Sequence, residues 1–331
     1  MTTLTELASR TDIFHTAFPF KPAGKYVHLI LVRETESFPL FQTDGSLNVI
    51  RVRAGIQDSE AVTRLILFKR KQSSPERLAG RELLRSINLI SDERSNKDRY
   101  CEYNSADLCK KCPDCILYGY AIGSEGAEKS KVYVDTAYSI SRYEVSHKAF
   151  SFNALFEHGT MTDQATGKTR SSFGEQDYVV PQVFFPSVVT LRDPTYESFL
   201  YVFGNLLRTE RYGAQETRTG RVYNHLLGVV FANGEIFSNL RFTQSIHDHL
   251  GVMVKEDLLE RQAVINAANA AYQDLIKEEP VIRPVEYIGD LAATVRQEVT
   301  QLYRDAGATS TLLTTLDKAT RDYQAKARAN K

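Results

Sequence analysis

At 331 residues the chain has room for one large domain or two smaller ones, with a sizeable core. Lys and Arg together number 41, as do Asp and Glu, so the formal net charge is zero. Bulk charge therefore announces no nucleic-acid partner, and any such surface has to be a local cluster of basic residues. Hydrophobic residues make up 42% and charged residues 25%, the balance of a soluble globular chain. The first residues lack a basic stretch followed by an apolar run, so no secretory signal is expected. No segment approaches the ~18 apolar residues of a membrane helix. A cytoplasmic setting follows as the expectation, in which thiols stay reduced.

In chain order, KYVHLILVRE (25–34) alternates and is β-branched, and predicts a strand. LNVIRVRAG (47–55) and AVTRLILFKRK (61–71) predict two more. The period then turns helical over 73–90, with Ser74 as N-cap, Pro75 in the first helical position and Glu76 in the first turn. KVYVDTAYSI (131–140) returns to strand. Residues 158–178 are rich in Gly, Thr and Ser and predict a long excursion or projecting hairpin. A strand at 183–192, a helix at 193–210 capped by Asp193 and started by Pro194, and a strand at 221–232 follow. Helical patterns cover 252–279, 285–305 and 309–329. This order fits an α+β fold: a split βαβ or ferredoxin-like core with long insertions and a helical C-terminal part.

All four cysteines, Cys101, Cys109, Cys112 and Cys115, fall in one segment with the spacing C-x7-C-x2-C-x2-C. A C-x2-C turn lets two thiolates converge on one metal, and four thiolates close a tetrahedral structural zinc site. Lys110 and Lys111 would offset part of its negative charge. The alternatives are an iron–sulfur cluster, against which the position of the first cysteine argues, and four thiols without metal. A catalytic zinc would keep a coordination position open, whereas four donors fill the shell.

Two basic clusters stand out. Residues 64–85 hold seven basic residues against two acidic. Within them, Lys69, Arg70 and Lys71 precede Ser73 and Ser74, and Arg77, Arg81 and Arg85 recur at i+4 on one helix face. Ala79, Leu83, Ile87 and Ile90 fall roughly opposite, which predicts arginines pointing away from the core. Free amides at a helix start, with hydroxyls and cations beside them, suit a phosphate; the alternative is a solvated helix face. The second cluster, RTERYGAQETRTGRVYNH (208–225), carries Arg208, Arg211, Arg218 and Arg221 around Gly213 and Gly220, with Tyr212 available to stack on a base. Catalytic patterns are poor: the histidines are scattered, and there is no P-loop, G-x-S-x-G or dinucleotide fingerprint.

RKQSSPERLAGRELLR, CPDCILYGYAIG and RYGAQETRTGRVYNHLLGVV together resemble the backbone subunit of CRISPR effector complexes, the Cas-seven branch of the RAMP superfamily, most closely its subtype I-D form. The resemblance covers roughly residues 25–250. It implies an RRM-like core with palm, fingers and thumb. The first part of that core would occupy 1–90, the cysteine-rich fingers 91–130, the rest of the core 131–250 with its thumb at 158–178, and a helical region 251–331. It also implies the partners: guide RNA (crRNA), a DNA or RNA target strand paired to it, further copies of the chain in a filament, and a Cas-five-like cap, a large subunit and a guide-processing subunit of Cascade. On that model, RNA would be held by Lys69, Arg70, Lys71, Ser73, Ser74, Arg77, Arg81, Arg211, Tyr212, Gly213, Arg218 and Arg221. Related subunits cut RNA with an Asp after the first strand. Asp44 here does not clearly match, and equally suits a turn before Gly45. A non-catalytic scaffold is the expectation. The alternatives are a RAMP-type ribonuclease cutting at regular intervals and a zinc-containing RNA-binding protein acting alone.

Overall fold

The computed structural model describes residues 2–123, 126–169, 173–255 and 258–329. A short helix, α1 (Thr3–Ala8), leads into β1 (Tyr26–Thr35), which is buried at every position after its first. Burial without alternation marks a strand covered on both faces. Val27, Leu29 and Leu31 enter one apolar cluster, and Ile30 and Val32 enter another. The chain continues through β2 (Val49–Arg53), β3 (Ala61–Leu67) and α2 (Lys69–Ser86) into the cysteine segment, which holds α3 (Pro113–Tyr118), β4 (Tyr120–Ile122) and β5 (Gly126–Glu128). Then come β6 (Val132–Val134), β7 (Ala137–Tyr138) and a ribbon of β8 (His147–Asn153) with β9 (Phe173–Val179). The remainder is β10 (Phe184–Arg192), α4 (Tyr196–Arg208), β11 (Val222–Ala232), α5 (Asn239–Leu250), α6 (Arg261–Glu278), β12 (Val285–Ile288), α7 (Asp290–Arg304) and α8 (Ala306–Ala329).

The main sheet is antiparallel throughout, in the order β12-β11-β1-β10-β6. Residues of α1, α2, α4, α7 and α8 bury one of its faces, Leu84, Phe199, Val295 and Leu313 among them. Phe242 and Ile246 of α5, with Val264 and Tyr272 of α6, bury the other. A smaller sheet, β2-β3-β7, contributes to a third cluster around Phe41, Leu65 and Phe185. The α+β expectation holds, with antiparallel sheets and C-terminal helices. No helix among the described residues is long and apolar enough to cross a membrane.

Several boundaries differ from the sequence expectation. The third strand ends at Leu67, and α2 starts at Lys69 behind Phe68 with no side-chain cap, so Ser74 and Pro75 lie inside the helix. Pro75 has no N–H to offer the carbonyl of Lys71 one turn back. That carbonyl instead faces the amide of Gly213 at 3.5 Å. Helix α4 is capped by Thr195 in a capping box with Ser198, not by Asp193. Asp193 adopts φ 50° and accepts bonds from the amides of Ala23 and Lys25. Residues 285–288, expected as helix, form the edge strand β12. The pattern at 252–279 yields α6 only from Arg261, behind a 3-10 turn at Gly251–Lys255; residues 256 and 257 lie outside the described ones. The excursion expected at 158–178 is part of a larger ribbon whose strands pair His147 with Val179 and Asn153 with Phe173. Its residues 170–172 lie outside the described ones.

Candidate functional site

The four cysteines converge. Lys110 turns the chain in the left-handed region, at φ 64°, between Cys109 and Cys112. Pro113 starts α3, so Cys112 and Cys115 stand one turn apart. All four Sγ atoms lie within 4.8 Å of one another, with Cys101–Cys115 at 3.7 Å, Cys109–Cys115 at 3.9 Å and Cys101–Cys112 at 4.0 Å. A tetrahedron with Zn–S bonds of about 2.3 Å has edges of about 3.8 Å. A disulfide would need about 2.05 Å, and all four cysteines are free. The amides of Cys109 and Cys112 point at the sulfurs of Cys101 and Cys109, at 3.4 and 3.3 Å. Hydrogen bonds from the other three thiols hold Cys101 below the usual thiol range, whereas hydrogen bonding with Cys101 and burial push Cys112 and Cys115 well up. Four thiols this close cannot all ionise without a cation among them. The donor set therefore fits a closed metal centre.

Asp114, between two of these cysteines, is fully buried and gathers two arginines of α2. Its Oδ1 accepts from Arg77 Nε at 2.7 Å, and its Oδ2 accepts from Arg81 Nη1 at 2.7 Å. Arg81 also donates to Cys101 Sγ at 3.5 Å and to the Cys101 carbonyl. Burial opposes the Arg81 charge, but Asp114 and Cys101 outweigh it and raise the pKa. The expectation that these arginines point to solvent is corrected. Arg81 is 0% exposed and Arg77 mostly covered, because the buried stripe of α2 is Gln72, Glu76, Gly80, Arg81 and Leu84. Gly80 lets α4 approach closely: a Cβ there would stand 2.4 Å from Asn205 Nδ2 and Tyr201 Oη.

Tyr212 is a second correction. It is fully buried and offers no ring to a base. Its hydroxyl donates to Glu76 Oε1 at 3.1 Å, and Arg33 donates to the same oxygen at 2.9 Å. The Arg33 guanidinium lies 4.5 Å from the Tyr212 ring centroid, and Asn224 bonds both residues. Burial raises the Tyr212 pKa against the pull of Arg33. This network clamps the loop after α4 onto α2. Gly213, at φ +103°, completes the clamp: a Cβ there would sit 2.3 Å from the Leu40 carbonyl oxygen.

The consequence is a groove of about 1010 Å³ between the start of α2 and that loop. Lys69, Arg70, Lys71 and Ser74 line one side, and Arg208, Arg211 and Gly213 the other. Among the described residues, Lys69, Arg70, Lys71, Arg208 and Arg211 form no ion pair. Glu82, Glu210 and Glu216 are the acidic residues of the lining, and Glu210 is paired with Arg221. Ser73 turns its hydroxyl back to the Lys69 carbonyl at 3.0 Å. Arg218 faces elsewhere, 5.9 Å from the Phe152 ring on the β8–β9 ribbon. Asp44 stands exposed in a turn before Gly45, at φ 87°. His225, His247 and His249 each face a different carboxylate, Glu34, Asp58 and Asp274.

Sequence reasoning missed Asp114, Arg33, Glu76, Tyr103 and the exposed Phe68 at the groove. Asp114 alone left a local signal, as an acid inside a cysteine turn. A second groove of about 900 Å³ lies on the other side of the α2 start, against the cysteine segment, and Tyr103 borders both.

The family model described as Csc2 Crispr matches residues 13–313. No curated protein matches the sequence. The crystal structure of Thermofilum pendens Csc2 superposes with a TM-score of 0.57 at 14% identity, covering 95% of this chain and 94% of that one. A chain of a CRISPR RNA-guided surveillance complex superposes with a TM-score of 0.51 at 12% identity, covering 84% and 98% respectively.

Proposed function

This chain belongs to the Csc2 CRISPR family, and we propose that it is a non-catalytic backbone subunit of an RNA-guided surveillance complex, binding guide RNA along a filament of its own copies. The single observation that carries this reading is the groove, where basic residues from opposite halves of the chain, Lys69, Arg70 and Lys71 with Arg208 and Arg211, meet without ion-pair partners among the described residues. Phosphates bind such a surface without sequence preference, as a subunit serving guides of any sequence requires.

The core in this reading is RRM-like. Elements β1, α2, β6, β10, α4 and β11 follow one another as β-α-β-β-α-β, with strand order β11-β1-β10-β6. In RNA-recognition modules the open sheet face stacks bases. Here α5 and α6 cover it, which moves RNA to the groove at the α2 start. Cys101, Cys109, Cys112 and Cys115 would hold zinc as a structural ion, and Asp114 ties the fingers, 91–130, to Arg77 and Arg81 of α2. The ribbon β8–β9 is the thumb. Pairing of the guide with a target strand, and contacts with cap, large and processing subunits, use the surfaces left free in the filament. Asp44, one candidate of the ribonuclease reading beside the scattered histidines, lies in an exposed turn.

Co-expression with a guide RNA tests the proposal. Purified assemblies should contain intact RNA and grow in size with its length. RNA-free monomers, or RNA cut at regular spacing and spared in Asp44→Ala, would reject the scaffold role.

A further inference from the structure

Tyr103 lies two residues after Cys101, on the rim shared by the two grooves at the start of α2. The residue is half-buried. Its hydroxyl lies 3.2 Å from Ser74 Oγ, and the guanidinium carbons of Arg77 and Arg81 lie 4.9 and 5.9 Å from its centroid. Both arginines are fixed by Asp114, inside the cysteine turn, and Arg81 also holds the Cys101 carbonyl. These three contacts run back to the cysteine segment, through Asp114, or to α2.

We propose that Tyr103 is a stacking surface for a nucleobase of the bound single strand, and that a filled cysteine centre holds it in place. The proposal rests on the guide-binding reading above and goes beyond it by making metal loading a determinant of RNA affinity. An aromatic face accepts any base, and the two arginines packed against this one, themselves held by Asp114, fix its orientation. Lys69 and Arg70 line both grooves that Tyr103 borders, within reach of the flanking phosphates. Tyr212, between Arg211 and Gly213 of the opposite wall, is buried and cannot play this part. In the absence of metal, Cys101 and Cys115 lose their common ligand, the Asp114 clamp loosens, and the ring loses its fixed orientation.

The chain contains no tryptophan, so Tyr103→Trp creates a protein with a single indole at the rim. Adding oligoadenylate should quench its fluorescence, and prior chelation should abolish the quenching. Phe20→Trp, in a ring that packs on Tyr323, should show no quenching. Tyr103→Ala should weaken RNA binding about tenfold and Tyr103→Phe hardly at all. Asp114→Asn should keep one metal per chain yet weaken binding as Tyr103→Ala does. Unquenched Tyr103→Trp that still binds RNA, equal quenching at position 20, or wild-type affinity in Tyr103→Ala would each overturn the proposal. If the unmodified protein binds no RNA even at low salt, the guide-binding reading fails and takes this proposal with it. If Lys69→Glu/Arg70→Glu abolishes binding while Tyr103→Ala does not, only the stacking role fails.

Discussion

Arg81 and Arg70 sit eleven residues apart on one helix, carry the same charge and look alike in sequence, yet they live in opposite environments. Arg70 is exposed at the groove, whereas Arg81 is 0% exposed, bonded to a carboxylate and a carbonyl. What separates them is Asp114, brought up by the cysteine turn. A charge on a helix reports a need for a partner. Whether that partner is water, a phosphate or a buried acid is decided by elements far away in the chain.

The same substitution at the two arginines should have very different consequences. Arg81→Met should destabilise the protein by about 3–5 kcal/mol, since it leaves part of a buried ion pair uncompensated. Urea midpoints at constant slope measure it. Arg70→Met should move stability by no more than about 0.5 kcal/mol. Chelation is the next test. About one zinc per chain should be released, and limited proteolysis should then cut within 91–130 while fragments of the sheet persist, because the main sheet takes no strand from that segment. Lys69→Glu with Arg70→Glu should lose RNA affinity and lower the salt slope by about two units without a change in unfolding. A normal salt slope would place the RNA elsewhere. Tyr212→Phe removes a hydroxyl bonded to Glu76 and Asn224, and should cost about 1 kcal/mol in stability. The smallest effect belongs to Arg304→Glu, at an exposed position near the end of α7, which should leave both RNA affinity and stability nearly unchanged.

Much of the sheet was legible because β1, β10 and β11 are apolar runs of β-branched and aromatic residues, and periodicity speaks directly to such strands. The cysteine centre was legible from spacing alone. Helix α5 was not recognised, although Ser238 caps it and Phe242, Ile246 and Leu250 recur at i+4 along its buried face. The start of α2 was misplaced because Ser74-Pro75 imitates an N-terminus, while the true start at Phe68 has no capping side chain. The face of α2 was misread for a deeper reason. Hydrophobic patterning assumes that charges go outward, and Glu76 and Arg81 are buried because Arg33 and Asp114, from other elements, neutralise them. Tyr212 was taken for a surface ring on the same assumption. Pairings across such separations leave no trace in local pattern.

The β8–β9 ribbon has two strands among the described residues, braced by packing over its inner half and touched near Phe152 by Arg218. Phe38 packs against Phe150 and Tyr178, and Gln42 accepts a bond from Gln176. A two-stranded ribbon in water is marginal without a third layer. Mechanically it is a cantilever: stiff at the wall, compliant at the free end, with the exposed rings of Phe150 and Phe152 spaced along its length. Amide exchange should therefore grade from slow at Val179 to fast beyond Asn153, and whatever docks on those rings becomes the missing layer, so the beam acquires its rigidity from its load.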